Sequence, residues 1–282
     1  MLTESYKNAE GFAKSHYENF PVISLTLPKE ARKHIAVIYQ FARQADDITD
    51  EGEVNSESRT ESLELYESQL ADCSSGKFAN DFWAALYNTI NDCKLNKQYL
   101  YDLLSAFKQD IHTKRYSHYE NLLDYCRRSA NPVGRLVLEV CGVRNEEAFL
   151  YSDSICTALQ LTNFYQDVSV DIQKGRIYIP QIEMTKFGVE EKIFEEKQIN
   201  ANFKSLLKYQ IDRTRLLFVE GRKLLPLLPK PLLVQIKMTI LGGEKILDKI
   251  VELDYNVLAQ RPKLNKFDYI RIFTKGLLTD AK

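Results

Sequence analysis

At 282 residues the chain is long enough for one large domain or two, and for a sizeable core. Its 38 basic and 39 acidic residues nearly cancel, which excludes the electrostatic footprint of a nucleic-acid binder. The hydrophobic share of 44% and charged share of 27% are those of an ordinary globular protein. Five cysteines without a CxxC pair argue against a disulfide framework, and the four histidines form no metal-binding pattern with them. Reduced thiols and a cytoplasmic location are therefore expected. The polar first ten residues contain no apolar core segment, so no signal peptide is expected. Without an uninterrupted apolar run of about 18 residues, no membrane-spanning helix is expected either.

Helical periodicity dominates, and no sustained period-two alternation is present. Residues 3–15 read as a first helix, broken at Asn19-Phe20-Pro21. Pro28 sits near the start of a long helix that runs to about Glu51, and a polar loop follows over 52–58. Further helices are expected at 58–72, 78–92 and 96–113. The pattern from Tyr119 to Val140 contains Pro132, which should kink the helix or divide it. Another helix is expected from Glu146 to Gln173, then a short helix after Pro180, a charged connector, and helices at 201–227, 231–259 and 266–278. The apolar stretch 224–234 is interrupted by three prolines and a lysine, so it reads as a helix–helix joint rather than a segment resting on a bilayer. The sum is one all-α domain over 1–282, with helices packed around a central cavity.

Two short patterns carry chemistry. Asn163, Asp167 and Asp171 are spaced four apart, which on a helix stacks them into one polar ladder. Lys174, Gly175, Arg176 and Tyr178 follow directly, then Pro180. Near the other end Asp46 and Asp50 repeat the spacing, with Arg43 one turn before Asp46 and Tyr39 one turn before Arg43. Same-face acids repel unless a cation lies between them. Oxygen donors on rigid faces with cations close by suit Mg²⁺ holding a phosphorylated substrate. Alone, the Asp46–Asp50 pattern is more often a solvated face, and the Asn163–Asp171 ladder reads equally well as one; the pair, each with its own cation and tyrosine, favours a metal–diphosphate site. The acidic run 190–196 alternates with lysine and reads as surface.

These motifs resemble the squalene/phytoene synthase family. Asp46-Asp47-Ile-Thr-Asp50 is similar to its first aspartate-rich motif, and Asn163 through Pro180 to its second. The resemblance runs from about His16 to Arg261. The segments at His16–Pro21, Ser129–Arg135 and Asn163–Asp167 are most similar to the bacterial hopanoid-pathway branch that converts presqualene diphosphate and water to hydroxysqualene and diphosphate. The resemblance implies an isoprenoid-synthase-type helical bundle and Mg²⁺ held by Asp46, Asp50, Asn163, Asp167 and Asp171. It implies that Arg43, Arg176 and Tyr178 hold the diphosphate, with His16 and Tyr39 close by. Asn19, Phe20 and Gln160 would line the substrate channel, and Tyr125 would guide the cation or the leaving group.

Departures from the family pattern refine the expectation. Gln166 stands where many members carry Arg, Ala130–Gly134 replaces a small-residue segment, and a tyrosine of some condensing relatives is absent near Gly242-Gly243. Losing a cation that grips diphosphate argues for a step with one diphosphate to remove. The leading expectation is thus a carbon–oxygen lyase in squalene or hopanoid biosynthesis. The alternatives are a head-to-head prenyltransferase making presqualene diphosphate, squalene or a carotenoid precursor, and an inert relative serving as an assembly or binding protein. No GxGxxG fingerprint is present, so no NADPH is expected. A very apolar product implies peripheral membrane contact or hand-off to a downstream enzyme.

Overall fold

The structure is a computed structural model and describes residues 2–15, 27–52 and 54–278. Fourteen α-helices form in the described residues, with no strand: α1 Leu2–Ser15, α2 Lys29–Asp50, α3 Ser56–Ser74, α4 Asp81–Asp92, α5 Gln98–His112, α6 Tyr119–Ser129, α7 Asn131–Val140, α8 Glu146–Gln166, α9 Val168–Asp171, α10 Gln181–Lys186, α11 Lys192–Glu196, α12 Ala201–Gly221, α13 Lys230–Glu252 and α14 Lys266–Leu278. Short 3₁₀ turns cover Ile172–Lys174 and Arg222–Leu227. Among the described residues, extended backbone pairs at a parallel bridge between Arg115 and Ile177.

The helix starts and stops follow local chemistry. Asn55, Asn80 and Asn200 each accept a backbone N–H of the first turn of α3, α4 and α12, satisfying donors that the helix itself cannot. Pro28 precedes the first residue of α2, where a missing N–H costs nothing. Pro132 divides the 119–140 pattern into α6 and α7 and occupies the first turn of α7. The helix expected over 146–173 is instead interrupted. α8 stops at Gln166, Asp167 takes φ −101° and ψ 11°, and α9 restarts at Val168.

The chain divides into two compact units, each assembled from separated stretches. The first comprises residues 1–112, 128–149 and 228–235. Its core is aromatic and leucine-rich: Phe41, Tyr66 and Trp83 pack ring on ring, with centroids 5.0–6.2 Å apart. The Tyr66 hydroxyl donates to the Phe41 carbonyl at 3.2 Å. Leu100, Leu103 and Leu104 of α5 complete this core with Leu63, Leu70 and Leu86. α1 is fastened through a buried polar knot in which Thr89 Oγ1 meets Tyr6 Oη at 3.1 Å and His34 Nδ1 at 3.0 Å. Burial, then the neighbouring Lys33, holds the His34 imidazole below its ordinary pKa.

The second unit comprises residues 113–127, 150–227 and 236–282. Buried Glu183 of α10 accepts two bonds from Arg213, at 2.6 and 3.1 Å, and one from Gln210 at 2.8 Å. The Arg213 guanidinium lies 3.2 Å over the Tyr119 ring, so α6, α10 and α12 share one network. α8, α12 and α13 approach closely at Gly243, where an added Cβ would meet Phe218 at 2.7 Å and Leu159 at 2.8 Å. The five cysteines form no disulfide. No helix in the described residues is long and apolar enough to cross a membrane.

Phe41 is fully buried on the inward face of α2, the helix that carries Asp46 and Asp50. Phe41→Ala is expected to cost about 3–5 kcal/mol through lost transfer energy and a residual cavity. The urea midpoint of the variant reads this directly.

Candidate active site

In the first unit, α2 turns its apolar residues into the core and leaves a mixed edge. Ile35, Ile38, Tyr39, Ala42, Arg43 and Asp46 line a cavity of about 330 Å³, together with Phe107 of α5 and Val133 and Val137 of α7. The wall is apolar from Ile35 to Ala42 and turns polar at Arg43 and Asp46. Val133 belongs to the Ala130–Gly134 segment that departs from the family pattern, so that departure shapes the cavity wall.

Arg43 does not face Asp46 alone. Its Nη2 lies 2.7 Å from Asp47 Oδ1, while Nη1 is 3.5 Å from Asp46 Oδ2. Asp47 therefore takes the stronger share of the guanidinium. Burial, and next the like charge of Asp50, push the Asp46 carboxyl up to about 7, against a smaller downward pull from Arg43. Asp110 of α5 adds to the upward push; it is a buried carboxylate with no motif in the sequence to announce it.

In the second unit the Asn163 ladder survives the break between α8 and α9. Asp167 N donates to the Asn163 carbonyl at 2.9 Å, and Asp171 N to the Asp167 carbonyl at 2.9 Å. The backbone bonds link the three ladder residues themselves, so their four-residue register is kept. Asp167 is paired with Arg261, whose Nη2 reaches Oδ2 at 3.0 Å. One residue earlier, Gln166 is fully buried and donates from Nε2 to the Pro262 carbonyl at 2.7 Å. Adjacent residues at the end of α8 thus clasp adjacent residues after α13. Gln166, read from the sequence as a substrate-binding residue, also ties the end of α8 to the segment after α13. Arg261 is a site cation that the sequence pattern did not single out.

The turn beyond the ladder is shaped by Gly175, whose φ of +70° is a left-handed conformation that a side chain would strain. Arg176 N then returns to the Asp171 carbonyl at 2.9 Å. Ile177 N donates to Lys114 O at 3.0 Å and Gln181 N to Tyr116 O at 2.9 Å, so 175–181 runs beside 114–116. This places Tyr178 face to face with Phe164, centroids 3.8 Å apart and planes 7° from parallel. Tyr116 and Tyr125 close the cluster at 5.7 and 6.2 Å from Tyr178. All four rings are buried, and Tyr125 is a packed member of the stack. Arg176 is buried beside it in the chain, and Gln160 is half-buried on α8. Tyr116 is the aromatic that the motif reading missed; its signal would have been the pairing of 114–117 with 177–182, which only tertiary structure supplies.

The structure therefore brings Tyr39, Arg43, Asp46 and Asp50 together on one helix, and keeps Asn163, Asp167 and Asp171 in register in the other unit. Among the described residues no three His, Cys, Asp or Glu side chains are grouped to hold a metal by themselves. His16, Asn19 and Phe20 lie outside the described residues.

The model of squalene/phytoene synthases matches residues 13–268. The chain belongs to the squalene/phytoene synthase family. It is 36% identical to squalene synthase HpnC from Alicyclobacillus acidocaldarius, whose crystal structure it matches with a TM-score of 0.85, covering 90% of this chain and 96% of that one. A dehydrosqualene synthase solved with a ligand matches at a TM-score of 0.89, with 98% of this chain and 96% of that one covered; at 23% identity it speaks to the fold alone. Phytoene synthase 1 of Zea mays chloroplasts is 27% identical over 94% of this chain, which spans 66% of the maize protein's length. The 15-cis-phytoene synthase of Synechococcus elongatus is 26% identical over 92% of this chain and 88% of its own. The fold is accordingly the all-α isoprenoid-synthase type.

Because folding raises the Asp46 pKa from 3.8 to about 7, the folded protein holds a proton there that the unfolded chain has released, and stability falls as pH climbs through that window. Asp46→Asn removes the penalty. At pH 8, without metal, it is expected to raise stability by about 1 kcal/mol, discounted because the side chain is 38% exposed and screened by water. The gain should vanish below pH 4, which thermal melts across pH will show.

Proposed function

We propose that this chain converts presqualene diphosphate and water to hydroxysqualene and diphosphate, with Mg²⁺ as cofactor and no nicotinamide. The observation that carries the substrate class is the cavity on α2, apolar along Ile35, Ile38, Phe107 and Val137 and ending at Arg43 and Asp46. That polarity matches a hydrocarbon chain ending in an anionic diphosphate.

The donor set fits Mg²⁺. Asp46 and Asp50 are same-face carboxylates whose mutual repulsion is already expressed in the raised Asp46 pKa, and such a pair is relieved by a divalent cation. By the family resemblance, Asp46 and Asp50 of the first unit and Asn163, Asp167 and Asp171 of the second would each contribute Mg²⁺ ligands. Bound Mg²⁺ would neutralise the negative charge that develops on the leaving group. Arg43, at the polar end of the α2 cavity, would add hydrogen-bonded positive charge to the diphosphate oxygens, and the family resemblance gives Arg176 the same role. Arg261 holds Asp167 in this structure, and a metal bound there would have to share that carboxylate with it.

Scission of the C–O bond sends its electron pair onto diphosphate and leaves a carbocation. Apolar walls keep bulk water away, and the ring of Tyr39, which lines the α2 cavity, offers electron density to the cation. A single water then forms the new C–O bond and loses a proton. Two features support the lyase branch over condensation. Gln166 supplies no cation for a second diphosphate and is spent on Pro262. The tyrosine that some condensing relatives carry near Gly242-Gly243 is absent here. The relatives named phytoene synthases favour a second reading, condensation of two prenyl diphosphates by a transferase.

Product analysis separates the two. Purified protein with Mg²⁺ and no NADPH is expected to yield hydroxysqualene from presqualene diphosphate and nothing from farnesyl diphosphate. Presqualene diphosphate or a carotenoid precursor appearing from a prenyl diphosphate would move the assignment to the transferase. Asp50→Asn and Asp167→Asn are expected to lower turnover by about 10³-fold or more. Near-normal rates in either would remove that residue from the metal set.

Mg²⁺ binding gives a readout independent of turnover. Calorimetry of Mg²⁺ with pyrophosphate should show affinity weakening as pH falls below about 7, because a proton must leave Asp46. Asp46→Asn should lose that component of the pH dependence along with most of the affinity.

A further inference from the structure

α14 has two apolar faces where a surface helix normally has one. Its inward face is seated on α13: Asp268 receives Lys249 Nζ at 2.9 Å, Ile272 is buried, and Gly276 abuts Met238 so closely that a Cβ would collide. Its outward face carries Phe267, Ile270, Phe273 and Leu277, exposed by 82%, 61%, 50% and 53%. At about 100° per residue these four fall within an arc of about 120°, turned away from the buried Asp268, Ile272 and Gly276. Single exposed apolar residues are common, but a contiguous stripe over three turns is a binding surface.

The charges around the stripe say what it binds. Between Lys263 and Leu278 there are four cations, Lys263, Lys266, Arg271 and Lys275, all exposed, and one acid, Asp268. That acid faces inward and is taken by Lys249. Arg271 and Lys275 line a cleft with Glu244 and Asp248 of α13, so the cationic border of the stripe rests on Lys263 and Lys266. An apolar stripe with a lysine border matches the interface of an anionic lipid bilayer, where rings and alkyl chains enter the acyl boundary and cations stay among the phosphates. A second copy of the same face would bring like charges together.

We propose that α14 docks this protein on anionic lipid surfaces, its axis lying in the membrane plane. The inference stands on the helix alone and does not depend on the prenyl chemistry.

The test uses the full chain without substrate, by flotation with phosphatidylcholine vesicles and with phosphatidylcholine–phosphatidylglycerol vesicles. The wild type should bind the anionic vesicles, and added salt should weaken binding. Phe267→Ser with Phe273→Ser should reduce that binding at least about tenfold with an unchanged melting temperature. Lys263→Glu with Lys266→Glu should reduce it by a similar factor on anionic vesicles. Absence of vesicle binding by the wild type, or equal binding by the stripe variant, overturns the proposal. So does a dimer in sedimentation that the stripe variant dissolves while vesicles bind neither form.

Discussion

Carboxylates held against apolar walls are the constraint on which this molecule turns. Asp46 sits at the junction of a hydrocarbon-lined cavity and a charged helix edge, one turn from Asp50 and within the electrostatic reach of Asp110. Water that would solvate its charge is partly excluded, and its nearest like charge cannot move away along a rigid helix. The carboxyl responds by holding its proton to about pH 7. Like charges held on one rigid helix face are a stress on the unit. The stress is bearable because α2 is anchored beneath by Phe41, Tyr66 and Trp83, whose packing does not depend on the charge state above.

The second unit meets the same constraint differently. Asp167 has its charge compensated by Arg261, and the neighbouring Gln166 spends its amide on the carbonyl of Pro262. Two adjacent bonds between the same two segments set the position of each far better than one would. The break in helix geometry at Asp167 leaves the ladder intact, since the backbone bonds from 163 to 167 to 171 are retained. Below the ladder the stacked Phe164 and Tyr178 fix the turn that carries Arg176. The two carboxylate clusters are thus supported by aromatic packing from within their own units.

Much of this was legible in the chain. Asparagine caps, Pro28 and Pro132 mark helix boundaries by local rules, and most of the expected helices fall within a few residues of those that form. The i, i+4 spacing of Asp46 with Asp50, and of Asn163, Asp167 and Asp171, announced the two clusters because helical periodicity is a property of neighbours in sequence. What was not legible depends on partners far along the chain. Asp110 influences Asp46 from α5, Arg261 reaches Asp167 across 94 positions, and Tyr116 meets Tyr178 through a bridge of extended backbone. Nothing in the local pattern around those three residues distinguishes them from ordinary surface or core positions.

The sequence by itself determined the all-α class, most helix starts, and which acidic residues share a face, because each of these follows from spacing and short-range backbone chemistry; its motifs carried the resemblance to the family. Only the tertiary structure decided which charges are compensated. It gave Arg43 chiefly to Asp47, Arg261 to Asp167 and Gln166 to a backbone carbonyl. It turned Tyr125 into a member of a packed aromatic stack, and left Phe267, Ile270, Phe273 and Leu277 facing outward. The reason is physical: burial and charge compensation depend on what arrives from distant segments, and a side chain's neighbours in space are set by the packing of the whole unit.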